Sequence, residues 1–92
     1  MSDQNADSHT NIVRVQLFAG AKQAAGGREQ LTLELPQRAD AAKVLQAIAA
    51  QVPELAALTR VSRLAVEDQY VAADTPIHAG MTLMLIPPVS GG

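Results

Sequence analysis

Only one segment of this 92-residue chain carries a long helical repeat of apolar side chains, and this limits the folds open to it. Asp40 precedes the segment as a predicted N-cap, and Pro53 closes it. The apolar positions recur at the intervals of an amphipathic helix, at Ala41, Val44, Leu45, Ile48, Ala49 and Val52. Because one helix covers only one face of a sheet, the pattern favours a two-layer α+β domain.

Two segments before the helix, residues 12–18 and 29–35, alternate apolar and polar residues as strands with one buried face do. A short Ala-rich helix is predicted between them at 19–25. It ends at Gly26-Gly27, where a residue can adopt positive φ. The two strands are close enough in sequence to pair as a hairpin with a long loop.

The region after the helix is predicted to contain a loose helical turn at 54–58 and three further strands. These strands are expected at 63–67, at Tyr70-Val71 and at 81–86, with Asp68-Gln69 as the turn between the first two. The whole order predicts a mixed sheet of about five strands with one main helix packed on one face.

Strand parity divides the apolar side chains into two sets. The set expected to pack on the helix is Val13, Val15, Leu17, Leu31, Leu33, Leu64, Val66, Met81, Leu83 and Leu85. The set expected on the opposite face is Phe18, Ala65, Tyr70, Met84 and Ile86. Apolar residues gathered on a solvated face indicate a partner surface. Alternatively, they are ordinary scattered surface residues, partly shielded by the short helix.

The composition argues against several classes of function. The net charge is −2 and the Lys and Arg residues are scattered singly, so no nucleic-acid surface is predicted. The chain has no cysteine, and His9 and His78 lack partners at ligand spacing, so no metal site is expected. Residues 1–11 are polar and lack an apolar run; they are interpreted as a disordered leader, and the chain as cytoplasmic.

The C-terminal sequence Pro87-Pro88-Val89-Ser90-Gly91-Gly92 is the most specific motif in the chain. The prolines cannot donate to a β-ladder, so a domain spanning 12–87 should be followed by an extended tail at 88–92. That tail can reach roughly 15 Å, far enough to enter another protein's active site. Its two glycines leave the terminal carboxylate unhindered, although a frayed end is the simpler alternative.

With this ending, the chain resembles the ubiquitin-like β-grasp sulfur carriers, and within them it is most similar to the small subunits of molybdopterin synthase. The resemblance covers residues 12–92. It rests on Leu17-Phe18-Ala19, on Asp74-Thr75-Pro76-Ile77 with Gly80, and on Ile86 to Gly92. Relatives often differ in three places, with aromatics at Leu85-Ile86, an Asn at Glu67-Asp68 and an acidic residue at Met81.

The resemblance implies a reaction at the main chain. Gly92, preceded by Gly91, would be adenylated by an ATP-dependent enzyme of the ubiquitin-activating type. A sulfur donor protein would then convert it to a thiocarboxylate. The tail would enter the large subunit of molybdopterin synthase and supply sulfur for the dithiolene that holds molybdenum. The implied assembly is a heterotetramer, in which this chain binds no cofactor and has no activity alone.

Partner binding is predicted at the apolar outer face and along the tail, at Phe18, Tyr70, Met84, Ile86, Pro87, Pro88, Val89 and Ser90. Three alternatives stay open. The chain could instead carry sulfur for thiazole or thiolated-nucleoside synthesis, or it could be a ubiquitin-like modifier joined to lysines. It could also be an interaction domain whose glycines are incidental.

Overall fold

The structure is a computed structural model that describes residues 10–88, so residues 1–9 of the predicted leader and residues 89–92 of the predicted tail lie outside it. In chain order its elements are β1 (Thr10–Leu17), α1 (Ala19–Ala24), β2 (Gln30–Pro36), α2 (Ala41–Gln51), a 3₁₀ turn (Pro53–Leu55), α3 (Ala56–Thr59), β3 (Arg63–Val66), β4 (Gln69–Tyr70) and β5 (Thr82–Ile86).

The five strands form one mixed sheet in the order β2-β1-β5-β3-β4. β1 and β5 run parallel at its centre, and the other neighbouring pairs are antiparallel. β1 and β2 form the long-looped hairpin predicted from their spacing. The predicted α+β class, with a mixed five-stranded sheet and one main helix, is confirmed.

The hydrophobic core lies between the sheet and α2, where strand alternation places it. Val44 and Ile48 of α2 are completely buried against inward side chains of the strands. Each large aliphatic side chain buried in this way contributes roughly 1.5–3 kcal/mol to folding. Val66 and Met81, also predicted to point inward, are partly buried at the margin of this core.

The backbone N–H groups at the N-terminus of α2 find hydrogen-bond acceptors within the chain itself. Oδ1 of Asp40 accepts a hydrogen bond from the backbone N–H of Lys43 at 3.0 Å, which confirms the predicted N-cap. The N–H groups of Ala41 and Ala42 donate to the carbonyls of Thr75 and Ala73 at 3.0 and 2.9 Å. The loop between β4 and β5 therefore satisfies helix donors that would otherwise lack partners.

The ends of two early elements differ slightly from the sequence prediction. β1 begins at Thr10, two residues before the predicted start, because Thr10 and Asn11 pair with Pro36 and Leu35 of β2. α1 ends at Ala24, and Gly26 and Gly27 follow with φ of 76° and 94°, which confirms the glycine pair as the helix terminus. The strand extension depends on its partner and is not visible in the alternation alone.

The turn between β3 and β4 lies at Glu67-Asp68, so the predicted turn at Asp68-Gln69 is wrong by one residue. Val66 pairs with Gln69, which leaves two loop residues with φ of 52° and 68°. Positive φ at both positions matches a type I′ hairpin turn, which usually carries Asn or Gly. The sequence lacks that signal because two acidic residues occupy the turn.

Replacing Asp40 with Ala should lower the free energy of unfolding by about 1 kcal/mol, because the N–H of Lys43 loses its acceptor. Asp40→Asn is the matched control, since the amide oxygen can accept the same bond. Urea denaturation followed by circular dichroism measures both variants. Equal stability of Asp40→Ala and the unmodified chain would show that the cap does not stabilise α2.

Candidate partner-binding face

The sheet face opposite α2 carries a continuous row of apolar side chains. Ala65 lies directly opposite Met84 on one side and Tyr70 on the other. Residues opposite one another in adjacent strands share a face, so these three form one row across β5, β3 and β4. We call Phe18, Ala65, Tyr70, Met84 and Ile86 the outer patch.

The outer patch meets the point where the chain leaves the sheet. Leu17 and Leu85 pair in the parallel β1–β5 ladder, so Phe18 and Ile86, one residue further on, lie at the same end of that ladder. Pro87 is partly buried and Pro88 is exposed. The predicted site residues Val89, Ser90, Gly91 and Gly92 lie outside the described residues. The segment that leads to these four residues therefore leaves the sheet at Ile86, at the same end of the ladder as Phe18.

Exposure within the patch is uneven. Tyr70 is 56% exposed and Phe18 44%, while Met84 and Ile86 are partly buried. Ala65 is only 4% exposed, so the expectation that it is solvent-exposed on this face is wrong. Ala65 pairs with Met84 and Tyr70 on its two sides, and a short side chain between larger neighbours has little access to solvent.

The short helix α1 packs on the core side of the sheet. Ala21 is completely buried, belongs to the core cluster together with Ala25, and α1 contacts the 3₁₀ turn that follows α2. Phe18, which immediately precedes α1, keeps 44% of its surface exposed. The alternative in which α1 shields the patch therefore does not account for the exposed aromatic side chains.

A depression of about 630 Å³ adjoins Phe18 on the side of the patch toward β2. Nζ of Lys22 and Oε2 of Glu29, which both line it, form an ion pair at 3.1 Å. Across residues 10–88, no group of three His, Cys, Asp or Glu residues could hold a metal ion. Within the same span, no helix is long and apolar enough to cross a membrane.

Two outward residues are absent from the predicted site. Ile12 is 53% exposed and has the same parity as Phe18, but it lies near the opposite end of β1. Arg63 lies directly opposite Ile86, and its guanidinium carbon is 4.2 Å from the ring centroid of Tyr70. Strand parity alone would have placed both on this face, although only the register shows that Arg63 borders the patch.

Comparison with protein families gives one match that covers most of the chain. The family model described as the ThiS family matches residues 15–92. The matched segment begins within β1 and includes every later element together with the C-terminal glycines.

Individual relatives agree with this match. The chain is 28% identical over 89 residues to the molybdopterin synthase sulfur carrier subunit of Arabidopsis thaliana. This alignment covers 97% of this chain and 92% of the relative. The structure of the Haloferax volcanii small archaeal modifier protein SAMP1 superposes with a TM-score of 0.76 at 25% identity, covering 89% of this chain and all of the other.

A third relative comes from a two-subunit structure. A chain in the Helicobacter pylori complex of subunits 1 and 2 of the molybdopterin-converting factor superposes with a TM-score of 0.60 at 28% identity. It covers 88% of this chain and 99% of the other. Together with the sheet order, these likenesses show a ubiquitin-like β-grasp fold.

The contact between Arg63 and Tyr70 should be measurable as a coupling energy of about 0.5–1 kcal/mol, because a cation over an exposed aromatic ring is weakly attracted to it. Urea denaturation of the unmodified chain, Arg63→Ala, Tyr70→Ala and the double variant gives this value. The control cycle replaces Arg14 instead of Arg63. A coupling near zero in the Arg63 cycle would show that the two side chains do not interact in solution.

Proposed function

This chain belongs to the ThiS family, and on that premise we propose that it is a sulfur carrier and the small subunit of molybdopterin synthase. The Arabidopsis relative, whose name states this role, supports the proposal across nearly the whole length of both chains. The chain is then the non-catalytic subunit of a sulfurtransferase and has no activity alone.

One structural observation carries the proposal. β5 ends at Ile86 inside the outer patch, and the sequence continues from there through Pro87-Pro88 to the terminal glycine. A partner that covers the patch is therefore adjacent to the point from which the tail starts. Five residues from Pro88 onward span up to roughly 15 Å, enough to reach a reaction centre within that partner.

The chemistry takes place at the carbonyl carbon of Gly92. Its carboxylate attacks the α-phosphorus of ATP in the activating enzyme, and pyrophosphate leaves. A hydrosulfide ion supplied by the donor protein then adds to the carbonyl carbon of the acyl-adenylate, and AMP leaves with the electron pair of the broken C–O bond. The product is a thiocarboxylate, so sulfur is carried on the main chain and no cysteine is required.

We assign the outer patch to the contact with the large synthase subunit. The Helicobacter pylori complex supports this partner, since the chain related to ours is one of its two subunits. The complete assembly in this proposal is a heterotetramer with two copies of each subunit. Dependence on ATP and on an activating enzyme of the ubiquitin-activating type favours a cytoplasmic location.

A second candidate function is conjugation to lysine side chains of other proteins. The likeness to SAMP1, named a modifier protein, favours it, because the same activated glycine would react with an amine. The two functions require the same activation and differ in the nucleophile that the activated glycine meets.

Incubation with ATP, the activating enzyme and a sulfur donor should raise the intact mass by the difference between one sulfur and one oxygen atom. Deletion of Gly92 should abolish this gain and sulfur transfer, because the remaining terminus no longer reaches the activating site. Mass spectrometry of the intact chain measures the first result, and molybdopterin formation with the large subunit measures the second.

Deletion of residues 2–9 is the matched control and should leave both results unchanged, since β1 begins at Thr10. Sulfur transfer by the chain without Gly92 would contradict the mechanism. Diglycine remnants on target lysines, with no transfer to molybdopterin, would instead favour the modifier function.

Phe18→Ala should weaken binding to the large subunit by about tenfold or more, because central aromatic residues often dominate interface energies. Ile12→Ala is the matched control. Its side chain is similarly exposed on the same face but is distant from Ile86, and it should change the Kd by less than about threefold. Isothermal titration calorimetry gives both values, and equal effects of the two substitutions would place the interface elsewhere.

A further inference from the structure

Arg63 introduces a positive charge at the margin of an otherwise apolar surface. Its side chain lies on the outer face directly opposite Ile86, the last residue of β5. It follows from this register that Arg63 lies beside the start of the tail. A partner that covers Ile86 to receive the tail also covers Arg63.

The guanidinium of Arg63 has no anionic partner within residues 10–88. Its contact there is with the ring of Tyr70, at 4.2 Å from the centroid. The ion pair of this span joins Lys22 to Glu29, and no side-chain hydrogen bond from Arg63 is present. A cation–π contact does not use a hydrogen-bond acceptor, so the guanidinium N–H groups of Arg63 stay available to one.

Covering this side chain without an acceptor is costly. In the isolated chain Arg63 is exposed, so water can solvate its charge. A partner that excludes this water must supply hydrogen-bond acceptors and a counter-charge in its place, because a buried charge without a counter-charge is strongly destabilising. The acceptor that matches two parallel guanidinium N–H groups is a carboxylate, which binds them in a bidentate pair.

We propose that the large subunit carries an Asp or Glu that forms a bidentate ion pair with Arg63, and that this pair determines which partner the outer patch accepts. The inference rests on the proposed function, since it takes the large synthase subunit as the occupant of the patch. Tyr70 acts as a positioning residue, because its ring holds the guanidinium in place before the partner arrives.

The same sheet face provides a matched control. Arg14 is also exposed there, but its cross-strand neighbours are Thr32 and Thr82. It therefore lies in a polar part of the face, two residue positions before the Gln16–Met84 pair. A partner seated on the outer patch can leave Arg14 in water, so its charge needs no counter-ion from that partner.

The test is calorimetric titration of the purified large subunit with the full-length chain. Arg63→Glu should raise the Kd by about 30-fold or more, because it places two carboxylates together. Arg63→Lys should raise it by roughly 3- to 10-fold, because an ammonium cannot form the bidentate pair. Arg14→Glu should change it by less than about threefold, and the effect of Arg63→Glu should shrink as salt is added.

A charge swap then identifies the partner residue. Each surface Asp or Glu of the large subunit is replaced in turn by Arg, and one of these variants should restore binding of Arg63→Glu while weakening binding of the unmodified chain. Thermal unfolding of every variant checks that the fold is intact. If Arg63→Glu is unfolded, two milder variants test the pair instead: Arg63→Lys in this chain, and an Asp→Asn or Glu→Gln variant of the partner residue in the large subunit. Each should weaken binding of the two subunits.

The test distinguishes failure of the proposed ion pair from failure of the proposed function. If the unmodified chain binds the large subunit and Arg63→Glu binds within about threefold of it, the ion pair is refuted while the proposed function stands. The ion pair is also refuted if no single acid-to-Arg variant restores binding. If the unmodified chain neither binds the large subunit nor forms a thiocarboxylate, the proposed function itself fails.

Discussion

The parallel pairing of β1 with β5 is the contact on which the rest of the structure depends. Val15 and Leu17 pair with Leu83 and Leu85, and all four side chains are at most 2% exposed. This ladder joins the two ends of the domain, so it forms only after the intervening chain has closed a long loop. Its direction fixes the functional geometry: two parallel strands end on the same side, which brings the start of the tail beside Phe18.

The sheet separates the hydrophobic core on one face from the proposed binding surface on the other. On one face, α2 buries its apolar side, and the loop after β4 satisfies the N–H groups of Ala41 and Ala42. The other face has no covering element among residues 10–88, and Tyr70 and Phe18 stay about half exposed there. Because the core is complete without the outer patch, a substitution on that patch can alter binding while the domain remains folded.

Local pattern was sufficient for elements whose burial follows from periodicity. Alternation predicts the buried residues of β1 and β2, and the position of Asp40 before the helical repeat predicts its capping role. The sequence pattern did not specify strand order, the Glu67-Asp68 turn or the burial of Ala65, since each depends on residues paired from elsewhere in the chain. Arg63 illustrates the same limit: an outward arginine is unremarkable until the register places it between Ile86 and the ring of Tyr70.

In the proposed function the reactive group is the main chain itself, so few reactive side chains are needed, which fits a sequence without cysteine. The folded domain then serves recognition, and an apolar patch alone is poorly suited to that task because hydrophobic burial is non-directional. Arg63, which has no anionic partner among residues 10–88, adds a directional charge to this surface. A partner with a carboxylate at the right position gains a charged pair, whereas one with an apolar residue there must bury an uncompensated charge. Arg63 thus adds a penalty against wrong partners, while the apolar side chains around it supply the contact area.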